Sequence, residues 1–181
     1  MSSIELIHFP QIKINKRGKL TIKPSATSSK HDFDFFVGKW RLENKKLKTR
    51  LNNCTEWEEF ESTQEMYTIL QGGGNIDNFL ANFDGNVYEG MSLRLFNPRT
   101  RLWAIYWADT NRGILDPPTM GSFEGNFGYF FTKDIFEGKK ILVVFRWDIR
   151  DKNNPVWSQA FSDDNGTTWE WNWYMYFSRM D

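Results

Sequence analysis

From His31 onward, turn-forming residues recur along the chain at nearly even intervals. They are Asn52-Asn53, Gln71-Gly72-Gly73-Gly74, Asp84-Gly85-Asn86, Asn97-Pro98, Asn111-Arg112-Gly113, Glu124-Gly125-Asn126, Glu137-Gly138, Lys152-Asn153-Asn154-Pro155 and Asp164-Asn165-Gly166. Most are separated by about 12 to 15 residues, which fits one strand of moderate length plus a tight turn. This punctuation divides the segment into about ten strands that follow one another in sequence.

The residues between the turns suit strands. VYEGMSLRLF, RLWAIYWAD, NFGYFFTKDIF, KKILVVFRWDI, PVWSQAFS and TWEWNWYMYF are rich in aromatic and β-branched types. No segment sustains a 3.6-residue apolar period with caps. In the last run Trp169, Trp171, Trp173, Met175 and Phe177 alternate with Glu170, Asn172, Tyr174 and Tyr176, a period of two that predicts a single aromatic face. A meander this long must hide its edge strands, and closure hides them most completely. The expected fold is all-β: an antiparallel up-and-down β-barrel of about ten strands.

Ahead of the meander, Asp32 to Phe36 predicts a short helical turn, and Gly38-Lys39-Trp40 opens the first strand. This Gly-x-Trp, at the start of a strand series, resembles the signature of lipocalins and the wider calycin superfamily. Stretches such as FDFFVGKW, SLRLFNPRTRLWAIYWAD and WSQAFSDDNGTTWEWNW make residues 32 to 179 similar to a group of lipocalin-like proteins whose common property is a fold, with no established activity. The resemblance implies a barrel closed at one end by the helical turn. It also implies a basic residue of the last strand stacked on the Trp, a place that Arg179 fills, and it transfers no catalytic residue.

The motif SDDNGTTW, Ser162 to Trp169, has the Ser-x-Asp-x-Gly-x-Thr-Trp spacing of the Asp-box hairpin repeated in sialidases and other glycan-handling propellers. It occurs once, and 181 residues cannot supply six blades of roughly 40 to 50 residues each. The expectation is a local hairpin in which Ser162 and Asp164 bond the turn backbone, Gly166 adopts positive φ and Trp169 folds over it.

Residues 1 to 30 form an N-terminal extension, distinct from the barrel domain of residues 31 to 181. IKINKRGKLTIK alternates Ile and Lys before the polar linker PSATSSK. Such a segment could add an edge strand, remain mobile, or pair with a partner's sheet, with a homodimer as the simplest assembly.

Charge and cysteine content exclude several functions. Lys plus Arg and Asp plus Glu number 23 each, so no global field attracts nucleic acid or an anionic membrane. No apolar run approaches the roughly 18 residues of a membrane span. Cys54 is the only cysteine, which rules out an internal disulfide and a cysteine-based metal cluster and fits a reducing, cytoplasmic setting. His8 and His31 lack a second ligand at metal spacing, late strands carry no histidine for haem, and no Gly-x-Ser-x-Gly elbow or phosphate loop is present. No cofactor is expected.

Two features remain as candidate chemistry. The chain carries 16 Phe, 9 Trp and 6 Tyr, enough for an aromatic core or an aromatic pocket. Polar residues are also embedded in apolar strands: Arg94 in SLRLF, Arg146 beside Leu142 and Val144, Gln159 between Trp157 and Phe161, and Asn172 in the phase of Tyr174. A buried arginine requires an acidic partner or a bound anion. The arginines therefore either pair with a carboxylate such as Glu59, Asp109 or Asp148, lie outside, or contact a ligand.

The favoured reading is a small-molecule-binding barrel whose ligand is partly apolar with a polar or anionic end. Its site residues would be Glu59, Arg94, Trp103, Trp107, Arg146, Gln159, Trp171, Asn172 and Trp173. The alternative is a cofactor-independent isomerase, lyase or hydrolase using Glu59 or Asp109 as acid or base and Arg94 or Arg146 to stabilise negative charge. In the acidic run EWEEFE, Glu59 shares a face with Trp57, and the choice between an inward face and a solvated one depends on strand phase.

Overall fold

A computed structural model describes residues 4, 5 and 7 to 180. Strands β1 (Ile4–Glu5), β2 (Ile12–Ile14) and β3 (Leu20–Ile22) precede a 3₁₀ turn at Asp34–Phe36. Ten longer strands follow: β4 (Gly38–Leu47), β5 (Trp57–Ile69), β6 (Gly74–Phe83), β7 (Asn86–Asn97), β8 (Leu102–Asp109), β9 (Thr119–Glu124), β10 (Phe127–Phe136), β11 (Lys139–Asp148), β12 (Val156–Ser162) and β13 (Trp169–Arg179). A second 3₁₀ turn, Leu70–Gly72, lies between β5 and β6. Each pairs antiparallel with the next, and β13 returns to pair with β4. The result is a closed ten-stranded barrel, and each of the nine turn clusters lies between consecutive strands.

Turn chemistry sets the register. Asp84 and Gly85 have φ of 50° and 91°, the paired positive values of a two-residue hairpin turn. Phe83 therefore opposes Asn86, and counting back puts Asn75 opposite Arg94 and Asp77 opposite Ser92.

One end of the barrel is plugged. Phe33 and Phe36 from the 3₁₀ turn enter it and pack against Trp40, Trp103, Phe123, Phe130, Trp147 and Phe177. The Trp40 indole N–H donates to the Phe36 carbonyl at 2.8 Å. Arg179 on β13 opposes Trp40 on β4, and its guanidinium lies 4.2 Å from the indole centroid. The same guanidinium donates to the carbonyls of Val37 and Phe35 at 2.9 and 2.7 Å. Strand closure and end closure thus share one residue, through a cation–π contact worth about 0.5 to 2 kcal/mol and two charge-assisted bonds.

The strict alternation expected for β13 breaks. A bulge between Gln159 and Ala160 of β12 sets Gln159 opposite Trp173 and Ala160 opposite Trp171, leaving Asn172 as the extra residue. Trp173, Met175 and Phe177 face inward, whereas Trp169 and Trp171 face out. There they join Phe131, Leu142, Val144 and Ala160 in an external cluster covered by Phe9 and by Ile12, Ile14, Leu20 and Ile22 of the β2–β3 hairpin.

The described part of the extension is therefore packed on the barrel. β1 pairs with β13 at Glu170 and Trp169, the stretch of β13 that β4 leaves free, since β4 reaches only to Trp173. The linker is pinned as well. The Ser28 hydroxyl donates to the Arg101 carbonyl at 2.7 Å, and Arg101 donates to the carbonyls of Ser25 and Ala26 at 2.9 and 2.6 Å.

Candidate functional site

Between the aromatic plug and the opposite rim lies a cavity of about 260 Å³, just below the roughly 300 to 1,000 Å³ of ligand pockets for drug-sized molecules. Its walls are mostly aromatic. β8 contributes Ile105 and Trp107, β11 contributes Phe145 and Trp147, β12 contributes Trp157 and Phe161, and β13 contributes Trp173, Met175 and Phe177. Gln64, Ser92, Arg94, Thr119 and Gln159 are the polar residues of the interior wall, and Arg112, Asp116, Lys133 and Asp134 line the mouth.

Arg94 sits at the deep end. It is 4% exposed, and its Nη1 donates to the fully buried Asp77 carboxylate and to Asn75 Oδ1, the latter at 3.1 Å. The guanidinium also lies 5.2 and 5.3 Å from the Phe33 and Phe36 rings. Asp77 accepts the Ser92 amide as well, at 3.3 Å. Three residues lining this region each keep a buried polar atom without a protein partner: Arg94 Nε, Gln64 Oε1 and Trp147 Nε1. Such atoms are uncommon in interiors and call for a specific cause.

Trp107 can lie in the barrel because β7 has glycine beneath it. A Cβ on Gly90 would come 2.2 Å from the indole ring. The Trp107 N–H donates to Asp109 at 3.1 Å. Burial raises the Asp109 carboxyl, but bonds from Trp107, the Asn111 and Arg112 amides and Tyr88 outweigh it and hold the group below the usual carboxylate range. Burial, and then the Asp109 charge, push Tyr88 up to about 12. This cluster is an ionised acceptor with its lone pairs occupied and a phenol that keeps its proton.

The structure brings together four of the nine residues singled out from sequence: Arg94, Trp107, Gln159 and Trp173 all line the cavity. Asn172 stands behind the wall, fully buried at the bulge, where it accepts from Gln159 Nε2 at 2.9 Å. Trp103 belongs to the plug, packed edge-on against Phe33 and donating to Ser29 O and Asp32.

The remaining three are outside. Trp171 is in the external cluster, and Arg146 lies over it at 4.1 Å with Nε donating to Ser158. Glu59 does share a face with Trp57, but the outer one. Lys45 opposes it at 3.7 Å, and EWEEFE runs alongside the lysines of β4 as a solvated charge ladder. These three cannot touch a ligand in the barrel. Asp77, Asn75, Gln64 and Ser92 were not picked out from sequence, although the Asp84-Gly85 turn already places Asn75 across from Arg94.

SDDNGTTW forms a self-contained hairpin at the open end. The Asp164 carboxylate accepts from Ser162 Oγ at 2.8 Å, from the Thr167 and Thr168 amides at 3.0 and 2.9 Å and from Thr168 Oγ1 at 2.7 Å. Trp169 folds back to donate to Gly166 O at 3.2 Å.

Among the described residues, no group of three or more His, Cys, Asp or Glu could hold a metal ion, and no helix is long and apolar enough to cross a membrane. Fold and cavity together define a lipocalin-like barrel with an internal cavity open at one end. No family model matches the chain, and no curated protein matches it in sequence. Among solved structures it is similar to an S-type phycobiliprotein lyase, CPES from Guillardia theta. That likeness has a TM-score of 0.59 at 10% identity and covers 86% of this chain and 94% of that one. At such identity the likeness carries the fold alone.

Proposed function

We propose that this protein binds a small, partly apolar molecule inside the barrel, with the aromatic walls holding its body and the Arg94 region holding a polar end. The observation that carries the reading is an aromatic cavity with a small set of polar side chains, Gln64, Ser92, Arg94, Thr119 and Gln159, in its wall. Such a wall holds an apolar body and fixes a polar end by hydrogen bonds. The enzyme reading is weaker, because the two carboxylates it needs are elsewhere: Glu59 faces solvent, and the bonds on Asp109 make it a poor proton acceptor. The similar barrel is named a lyase, so catalysis on such a scaffold has a precedent, but here Asp77 and Asp116 are bonded to Arg94 and Arg112 and Asp134 stands at the mouth.

Native mass spectrometry of freshly purified protein tests the proposal. A retained adduct is expected, together with a tryptophan fluorescence change on titration with a metabolite panel, since Trp107, Trp147, Trp157 and Trp173 line the site. No adduct and no fluorescence response across the panel would overturn it.

A further inference from the structure

We infer that the ligand's buried end is electrically neutral and both donates and accepts hydrogen bonds, as a carboxamide or lactam does, and that it is not a carboxylate or phosphate. This deepens the binding reading above and rests on it. The inference comes from the charges at the site. Among the described residues, Arg94 is the only cation in the deep half of the cavity, and its charge is already matched by Asp77, whose side chain is fully buried against it. At the mouth Arg112 is bonded to Asp116, and Lys133 and Asp134 add one charge of each sign. Positive and negative groups cancel both at the floor and at the rim. An entering anion would meet no uncompensated positive charge, and at the floor it would approach the Asp77 carboxylate while giving up its own hydration.

The polar side chains of the wall point to the same chemistry. Gln64, Ser92, Thr119 and Gln159 bring amides and hydroxyls to the cavity, groups that both donate and accept. A carboxylate can only accept and an ammonium can only donate, so each would use half of what these atoms offer, and the ammonium would also face the guanidinium. An amide presents a carbonyl to donors and an N–H to acceptors, and carries no net charge to desolvate. The aromatic rings around these atoms suit a flat body of one or two fused rings, in keeping with the small volume.

Four probes with one ring system separate the possibilities: naphthalene, 2-naphthamide, 2-naphthoate and 2-naphthylmethylammonium. Each is titrated into the wild-type protein by calorimetry. ¹H–¹⁵N spectra of the nine tryptophan indole N–H groups are followed in parallel, with Trp107, Trp157 and Trp173 of the cavity wall as reporters. Expected is binding of the amide at least tenfold tighter than of either ion, tighter than naphthalene, and independent of salt, with the signals of those three tryptophans moving. Naphthoate binding as tightly as the amide, or more tightly with salt dependence, would overturn the neutral head while leaving the binding barrel intact. Binding of naphthalene with no gain for any substituted probe would do the same. If all four fail to bind, the cavity reading falls and this inference falls with it. In Asp77→Asn, where Arg94 loses its counter-charge, the preference should move toward naphthoate by tenfold or more. An unchanged preference in a folded Asp77→Asn would contradict the charge argument.

Discussion

Removing Asp77 should expose how much the barrel depends on the buried Asp77–Arg94 ion pair. In Asp77→Ala the Arg94 guanidinium stays 4% exposed or thereabouts. It then keeps only Asn75 Oδ1 at 3.1 Å and the faces of Phe33 and Phe36. Breaking a buried pair by deleting one partner costs about 3 to 5 kcal/mol, because the survivor is a charge without compensation. The two rings return about 0.5 to 2 kcal/mol of cation–π attraction, so the lower figure, about 3 kcal/mol, is expected. For a domain of this size that is a fall of about 6 to 12 °C in Tm. Replacing both partners, as Asp77→Leu with Arg94→Met, removes both charges and refills the volume, and should fall within about 1.5 kcal/mol of wild type. Urea unfolding followed by tryptophan fluorescence, with both single variants and the double variant, gives the coupling directly. A loss below about 1 kcal/mol in Asp77→Ala, or a double variant less stable than either single one, would refute the account of Arg94 as a buried, Asp77-compensated charge.

Two further perturbations test neighbouring parts of the argument. Asp164→Ala removes an acceptor that serves two backbone amides and two hydroxyls and should cost about 2 kcal/mol in the same unfolding assay. Burial acts to raise the Asp164 carboxyl, but the Thr168, Ser162 and Thr167 bonds hold it below its ordinary 3.8. Its contribution is therefore fully present above that value and is lost as pH falls through the folded-state value, so the fall of stability with acid, followed by circular dichroism, should be shallower in Asp164→Ala than in wild type. Gly90→Ala forces the Trp107 ring away from a Cβ that would otherwise sit 2.2 Å from it; a loss of about 1 to 3 kcal/mol and a changed near-ultraviolet dichroism band are expected, and an unaltered band would show that Trp107 does not lie where described.

Most of the architecture could be read from punctuation. The nine turn clusters give ten strands, and Gly38-Lys39-Trp40 with Arg179 places the closed end. The candidate site was legible only where a strand's phase could be tied to a turn or a neighbour. Trp157, Gln159 and Phe161 do share the inward face, as Trp103, Ile105 and Trp107 do. Glu59 went the other way because nothing in EWEEFE distinguishes its two phases. Only pairing with the lysines of β4, a contact across strands, assigns one of them to water. Asp77 could have been found by counting from Asp84-Gly85. A two-residue turn makes opposing positions add to a constant, which brings Asn75 to Arg94 and places Asp77 one inward position along.

Arg94 and Arg146 show why parity outweighs residue type. Each interrupts an apolar strand that also carries aromatic residues, so by composition they are equivalent. Arg94 lies on the phase of Ser92 and Phe96, inward, and needs Asp77. Arg146 lies on the phase of Leu142 and Val144, outward, and settles over Trp171 with Ser158 as its partner. Trp171 is available there only because the β13 bulge turns it away from Trp173, its neighbour two residues on. One extra residue at Asn172 therefore splits a continuous aromatic stripe between two surfaces, the cavity wall and the outer cluster. That division is also what gives the N-terminal segment its place. Trp169, Trp171 and Phe131 would otherwise present a broad apolar patch to water, and Phe9 with the β2–β3 hairpin covers it. The place of the extension and the entry of Trp173 into the cavity wall thus both follow from one bulge, so a change that removes it should disturb the outer packing and the cavity together.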